Sequence, residues 1–174
     1  MSLGFGHLVG AWLPGKIVEK AKKSQFSALV WGLLLFGSIL PDADFVLEWS
    51  GIAENVHRTF THSLVFIPFV GLLIYIVARY AQRGVKLEPW ACSLAIMAGV
   101  FTHLFYDSLL YPGVNLLWPF DWWLAEGALY FTTQTLTERV GPLALEGKLG
   151  LFIFDMWLGA AWFFYFLARG RLKP

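Results

Sequence analysis

Apolar residues run along the chain in four blocks, separated by short stretches that hold most of the charge. The blocks are 26–40, 63–78, 90–111 and 149–168. Each is apolar on all sides rather than on one stripe, and the pattern predicts four membrane helices. The first spans only about 22 Å at 1.5 Å per residue, so it needs flanking lysines to snorkel or a thinned bilayer. The second is similarly short, while the third and fourth are long enough to cross comfortably. Pro41, Pro89 and Pro112 stand at block edges, where helices begin or stop. Residues 3–13 are also apolar but too short to span. They precede their basic cluster, the reverse of a signal peptide's order, and predict a re-entrant or half-depth helix broken at Pro14 and Gly15. Residues 115–132 are rich in Trp, Tyr and Phe but interrupted by Asp121 and Glu126, which predicts an aromatic lid or belt at the outer interface. The expected fold is all-α: one integral membrane domain over 1–174, with outer loops 41–61 and 112–148.

Composition agrees. With 57% AVILMFWYC and 14% charged residues, the chain is more apolar than a soluble core of this length can use. Disorder is excluded by the same numbers. A net charge of +1 leaves no electrostatic footprint for nucleic acid, so the expected partner is the lipid bilayer. The single cysteine, Cys92, can form neither an internal disulfide nor a thiolate zinc knuckle. Charge also orients the helices. Ten of the 13 Lys and Arg fall in 16–23, 79–88 and the C-terminal tail, leaving Arg58, Arg139 and Lys148 opposite. The positive-inside rule then puts the ten and the C-terminus in the cytoplasm.

The few ionisable residues inside or beside the apolar blocks gather at the outer end. His103 and Asp107, one turn apart in the third block, lie on one helix face within reach of a shared cation. Ala95 and Gly99 continue that face with small residues that admit a neighbouring helix, so it is the packed face, where ionisable groups are functional by default. The bland alternative is a His–Asp hydrogen bond that joins two helices. Asp42 and Asp44 follow the C-terminus of the first block, where the helix dipole disfavours carboxylates unless a cation lies near. An extended backbone would point both the same way, whereas Asp44 alone could cap a helix over 45–55. His62 opens the second block with Thr61 as its cap, and a helix N-terminus would keep the imidazole neutral and free to ligate. His7 would sit near mid-membrane, about 14 Å above the basic cluster, a height that leaves its reach to the site open. Asp155, two turns inside the fourth block, could orient a ligand histidine or pair with Arg139 or Lys148.

The ordered set of His7, Pro41-Asp42-Ala43-Asp44, His57-Arg58-Thr59-Phe60-Thr61-His62-Ser63, His103 with Asp107, and 113–120 resembles the YdjM family of inner-membrane-associated, metal-dependent hydrolases. The resemblance covers about 4–121, and the combined spacing is what makes it specific. It implies metal binding at His7, Asp42, His62, His103 and Asp107, with Asp44, His57 and Arg58 in supporting or catalytic roles. Neither the fourth block nor 122–148 carries a matching motif.

Mixed His and carboxylate ligation without thiolate suits zinc, manganese or iron, and five or six ligands leave room for one ion or two. The expected activity is hydrolysis at the outer membrane–water boundary of a lipid-like phosphoester or ester. Arg58 would neutralise an anionic group, while His57 or Asp44 would handle the proton. Two other classes compete. An ion-binding transporter would also carry intramembrane Asp and His, but four short spans give no sign of an inverted repeat. A metal-stabilised scaffold would unfold on metal removal and hydrolyse nothing.

Overall fold

The computed structural model describes residues 4–52, 59–81, 88–110, 114, 116–119 and 145–169, and among them every regular element is helical. We number the helices α1 (Gly4–Lys22), α2 (Ala28–Gly37), α3 (Phe45–Trp49), α4 (Phe66–Tyr80), α5 (Pro89–Leu110) and α6 (Leu145–Ala168). Two short 3-10 turns, Pro41–Asp44 and Phe60–His62, precede α3 and α4. Local signals start these helices. Ser27 Oγ accepts the Val30 N–H at the head of α2, and Pro89 opens α5 where its missing N–H costs nothing.

Helix α5 is the central post. Ile96, Val100 and Leu104 on it pack with Phe66 and Val70 of α4, and Ala95 packs with Leu34 of α2 and Ala11 of α1. The α2–α5 crossing is a backbone contact. A Cβ at Gly37 would lie 2.5 Å from the Ile96 carbonyl oxygen, and one at Gly99 would strike the Leu34 carbonyl oxygen. Only two facing glycines let the helices approach so closely. Helix α6 packs on α1, with Trp12 edge-on to Trp162, Tyr165 and Phe166.

Two expectations change, and a third is met in part. The helix of the first block is shorter than expected: α2 covers only Ala28–Gly37, and beyond the block's end the pair 28–37 and 41–49 meets at a 55° bend, where Pro41 starts a new turn and cannot continue the old one. The N-terminal helix is not broken at Pro14 but runs unbroken for 19 residues. Gly10 packs on Tyr106 and Gly15 on Trp31, so tertiary contacts on both sides of the proline hold it. Third, among the described residues one helix, Pro89–Ser108, is long and apolar enough on its own to cross a membrane, and the bent pair would make a second if taken as one span. Phe66–Tyr80 and Ile153–Ala168 are apolar but shorter. Most of the aromatic stretch 115–132 lies outside the described residues. Its described part, 116–119, gives Trp118, whose ring meets Phe60 edge-on, and Leu116, whose carbonyl accepts the Leu64 N–H.

Candidate metal centre

Four side chains from three segments converge beside the α2–α5 crossing. Asp42 comes from the turn after α2, His62 from the turn before α4, and His103 and Asp107 from the C-terminal half of α5. Their ligand atoms all lie within 4.8 Å of one another. His62 Nε2 is 3.3 Å from His103 Nε2, 3.5 Å from Asp42 Oδ1 and 3.5 Å from Asp107 Oδ2. His103 Nε2 is 3.6 Å from each of the same two oxygens. Five of the six separations among the four ligand atoms are therefore 3.3–3.6 Å, a spacing that suits His and carboxylate ligands of a single zinc-sized ion. The side chains of His62, His103 and Asp107 are 0–2% exposed, and that of Asp42 is 15% exposed, while its inward oxygen Oδ1 is buried like the rest of the centre.

Hydrogen bonds fix which ring nitrogen faces inward. His103 Nδ1 lies 2.8 Å from the Ser38 carbonyl, which can only accept, so Nδ1 carries the hydrogen and Nε2 a lone pair. Thr61 Oγ1 donates to Asp44 Oδ2 at 2.6 Å and is left to accept from His62 Nδ1 at 3.1 Å. Both Nδ1 hydrogens are committed elsewhere. Two lone pairs 3.3 Å apart with carboxylates on both sides repel unless a cation, a proton or a metal ion, sits among them. Burial works against charge on His62, but hydrogen bonding with Asp107, Asp42 and Asp44 outweighs it and pushes the imidazole up to about 10. Without an ion the proton therefore stays on His62, and a metal ion among the four ligands would take its place. His62 ends a three-residue turn, and α4 begins only at Phe66, so no helix dipole acts on it.

The remaining candidates take other positions. Asp44, 4% exposed, stands at the N-cap position of α3, but its side chain makes no cap bond, and its backbone is a 3-10 turn rather than the extended one expected. The 3-10 turn rotates it behind His62, where it fixes Thr61. His7 Nε2 lies 3.2 Å from Asp107 Oδ1, the oxygen facing away from the four-atom group, and its ring stacks on His103 at 4.0 Å. The structure therefore brings His7 to the edge of the centre. Asp155 accepts the backbone N–H groups of Phe5 and Gly6, two residues that lead into His7. His57 and Arg58 lie outside the described residues. Sequence reasoning missed Ser38, whose carbonyl is an orphan of the α2 C-terminus, and took Thr61 for a helix cap. Neither role has a signal short of the three-dimensional contact.

The family model described as YdjM inner membrane protein matches residues 1–171, which extends the likeness through α6. The Escherichia coli (strain K12) inner membrane protein YbcI is 36% identical over 120 residues, covering 65% of each chain. The uncharacterized protein YvsG of Bacillus subtilis (strain 168) is 29% identical over 116 residues, 67% of this chain and 59% of that one. The chain thus spans under two thirds of the length of these relatives. No solved structure matches it.

Proposed function

The chain belongs to the YdjM inner membrane protein family, and from that premise we propose that it is a membrane-embedded, metal-dependent hydrolase with its site at the extracytoplasmic end of the bundle. The observation that carries the reading is the meeting of two inward Nε2 lone pairs with Asp42 and Asp107. A divalent ion held there, zinc, manganese or iron, would polarise a substrate oxygen and acidify a bound water. The protein's own residues do the rest. Ser38 and Thr61 hold the imidazoles in register, and Asp44 holds Thr61. Substrate would approach from the Asp42 side, where the side chain is 15% exposed although its inward oxygen is buried. His57 and Arg58, just before His62 in sequence, are the proposed proton carrier and anion clamp. The substrate class is a lipid-borne phosphoester or ester, which suits an opening near the headgroups.

The decisive experiment is elemental analysis of the detergent-purified chain, paired with hydrolysis of a fluorescent lipid phosphomonoester in vesicles before and after metal removal. A stoichiometric ion and chelator-sensitive cleavage are expected. Unfolding on metal removal with no cleavage of any ester would point to a scaffold.

Two further results are expected. The proposal includes four crossings with the basic loops in the cytoplasm. Ile52, 76% exposed after α3, should therefore label from outside intact cells when changed to Cys in a Cys92→Ser background. Labelling only after lysis would reverse the topology. Arg58→Lys keeps the charge but loses the planar fork that grips phosphate or carboxylate. Metal content should stay at the wild-type level while turnover of an anionic ester falls about tenfold or more, about 1.4 kcal/mol of transition-state binding. Equal turnover would remove Arg58 from the substrate site.

A further inference from the structure

Helix α6 carries no motif, touches none of the four ligands in the contacts described above, and yet buries a carboxylate. Asp155 is 5% exposed and is the one charged residue in the apolar stretch Ile153–Ala168. A helix that only had to pack on α1 would gain nothing from it, since a buried carboxylate inside a membrane protein is costly. Its oxygens accept the Phe5 N–H at 3.3 Å and the Gly6 N–H at 2.5 Å. These are among the orphan donors of the first turn of α1, where the helix dipole also favours negative charge.

We propose that Asp155 is a positioning residue for the metal centre, pinning the first turn of α1 so that His7 is held against Asp107 and His103. The inference rests on the metal-centre reading above. Gly6 is bonded directly to His7 in the chain, so fixing its N–H fixes the point from which the imidazole projects. One turn along α6, Gly159 leaves a notch filled by the Phe5 ring, where a Cβ would come within 2.8 Å of it. Backbone and side chain of the same turn are therefore gripped together. His7 then engages Asp107 Oδ1 and stacks on His103, which leaves Asp107 Oδ2 as the oxygen turned to the four-atom group. The Trp12 seam holds α1 to α6 independently, so loss of Asp155 frees one turn without detaching the helix.

The test is a double-mutant cycle on the full chain in detergent, titrated with zinc alone. Asp155→Ala should weaken zinc affinity about tenfold, the lower end for an outer-shell partner. Asp155→Asn, which keeps one acceptor oxygen, should lie between it and wild type. In a His7→Ala background, Asp155→Ala should cause no further loss, because its effect passes through His7. An unchanged affinity in Asp155→Ala, or a full repeat of the loss without His7, overturns the proposal. A second readout needs no metal. Carbethoxylation of the buried His7, followed by mass spectrometry, should be at least fivefold faster in both Asp155 variants. Should the wild type bind no zinc, the metal reading fails, and this rate alone decides whether Asp155 seats His7. Where Asp155→Ala does not fold, Asp155→Asn runs the same cycle.

Discussion

Replacing His103 with alanine is expected to abolish stoichiometric metal binding, lowering affinity by more than about 100-fold, beyond the usual effect of an outer-shell partner. His103 is fully buried and stands within 3.6 Å of the donor atoms of the other three ligands, so no solvent ligand can take its place without a cavity to enter. Its Nδ1–H also satisfies the Ser38 carbonyl at the end of α2. Losing that donor should cost the metal-free protein roughly 1–3 kcal/mol. Adding Asp107→Ala should change metal content little further, because residues that share one network are not additive. Metal-to-protein ratio and thermal unfolding of the apo protein check both parts. Full occupancy in the single variant would sink the cluster.

Gly99→Ala should reach the same outcome while leaving every ligand in place. The added methyl collides with a backbone carbonyl of α2 rather than with the tip of a side chain, so neither partner can swing aside. Overpacking of this kind should cost about 3 kcal/mol or more. Ser38 and the Asp42 turn follow Gly37 directly, so any helix separation also pulls one ligand and one orienting carbonyl off the centre. Gly32→Ala is the control. It lies in the same helix with open space around it and should be neutral or stabilise by roughly 0.5–1 kcal/mol. Melting temperature and metal content measured together separate the two glycines.

What the sequence makes legible here follows from where geometry is local. The His103–Asp107 face, its small-residue continuation through Gly99, and the all-helical character come from a period of 3.6 acting within one helix. The convergence of Asp42 and His62 follows from alternation, since successive apolar blocks return the chain to the same end. Pro14, Asp44 and His62 mislead for one shared reason. Their conformations are set by partners far away in sequence, namely Tyr106 and Trp31 for the helix around Pro14, Thr61 for Asp44, and three carboxylates for His62. Local propensity is a weak prior against such contacts. Ser38 shows the same limit, because nothing about a serine announces that its carbonyl will orient a histidine 65 residues on.

The greater exposure of Asp42 has a kinetic side. Three ligands sit on or against the α4–α5 core, whereas Asp42 belongs to a four-residue turn at a helix bend. A four-residue turn opens at lower free energy than the long helices it flanks, even with Pro41 and Asp44 buried in it. An ion leaving this centre therefore needs only the Pro41–Asp44 turn to lift, while α4 and α5 stay folded. Metal exchange should then track the local opening of that turn and be insensitive to mild denaturant, which exposes little surface in so small an event. The bend that ends the first apolar block would then be the point at which an ion is loaded and released.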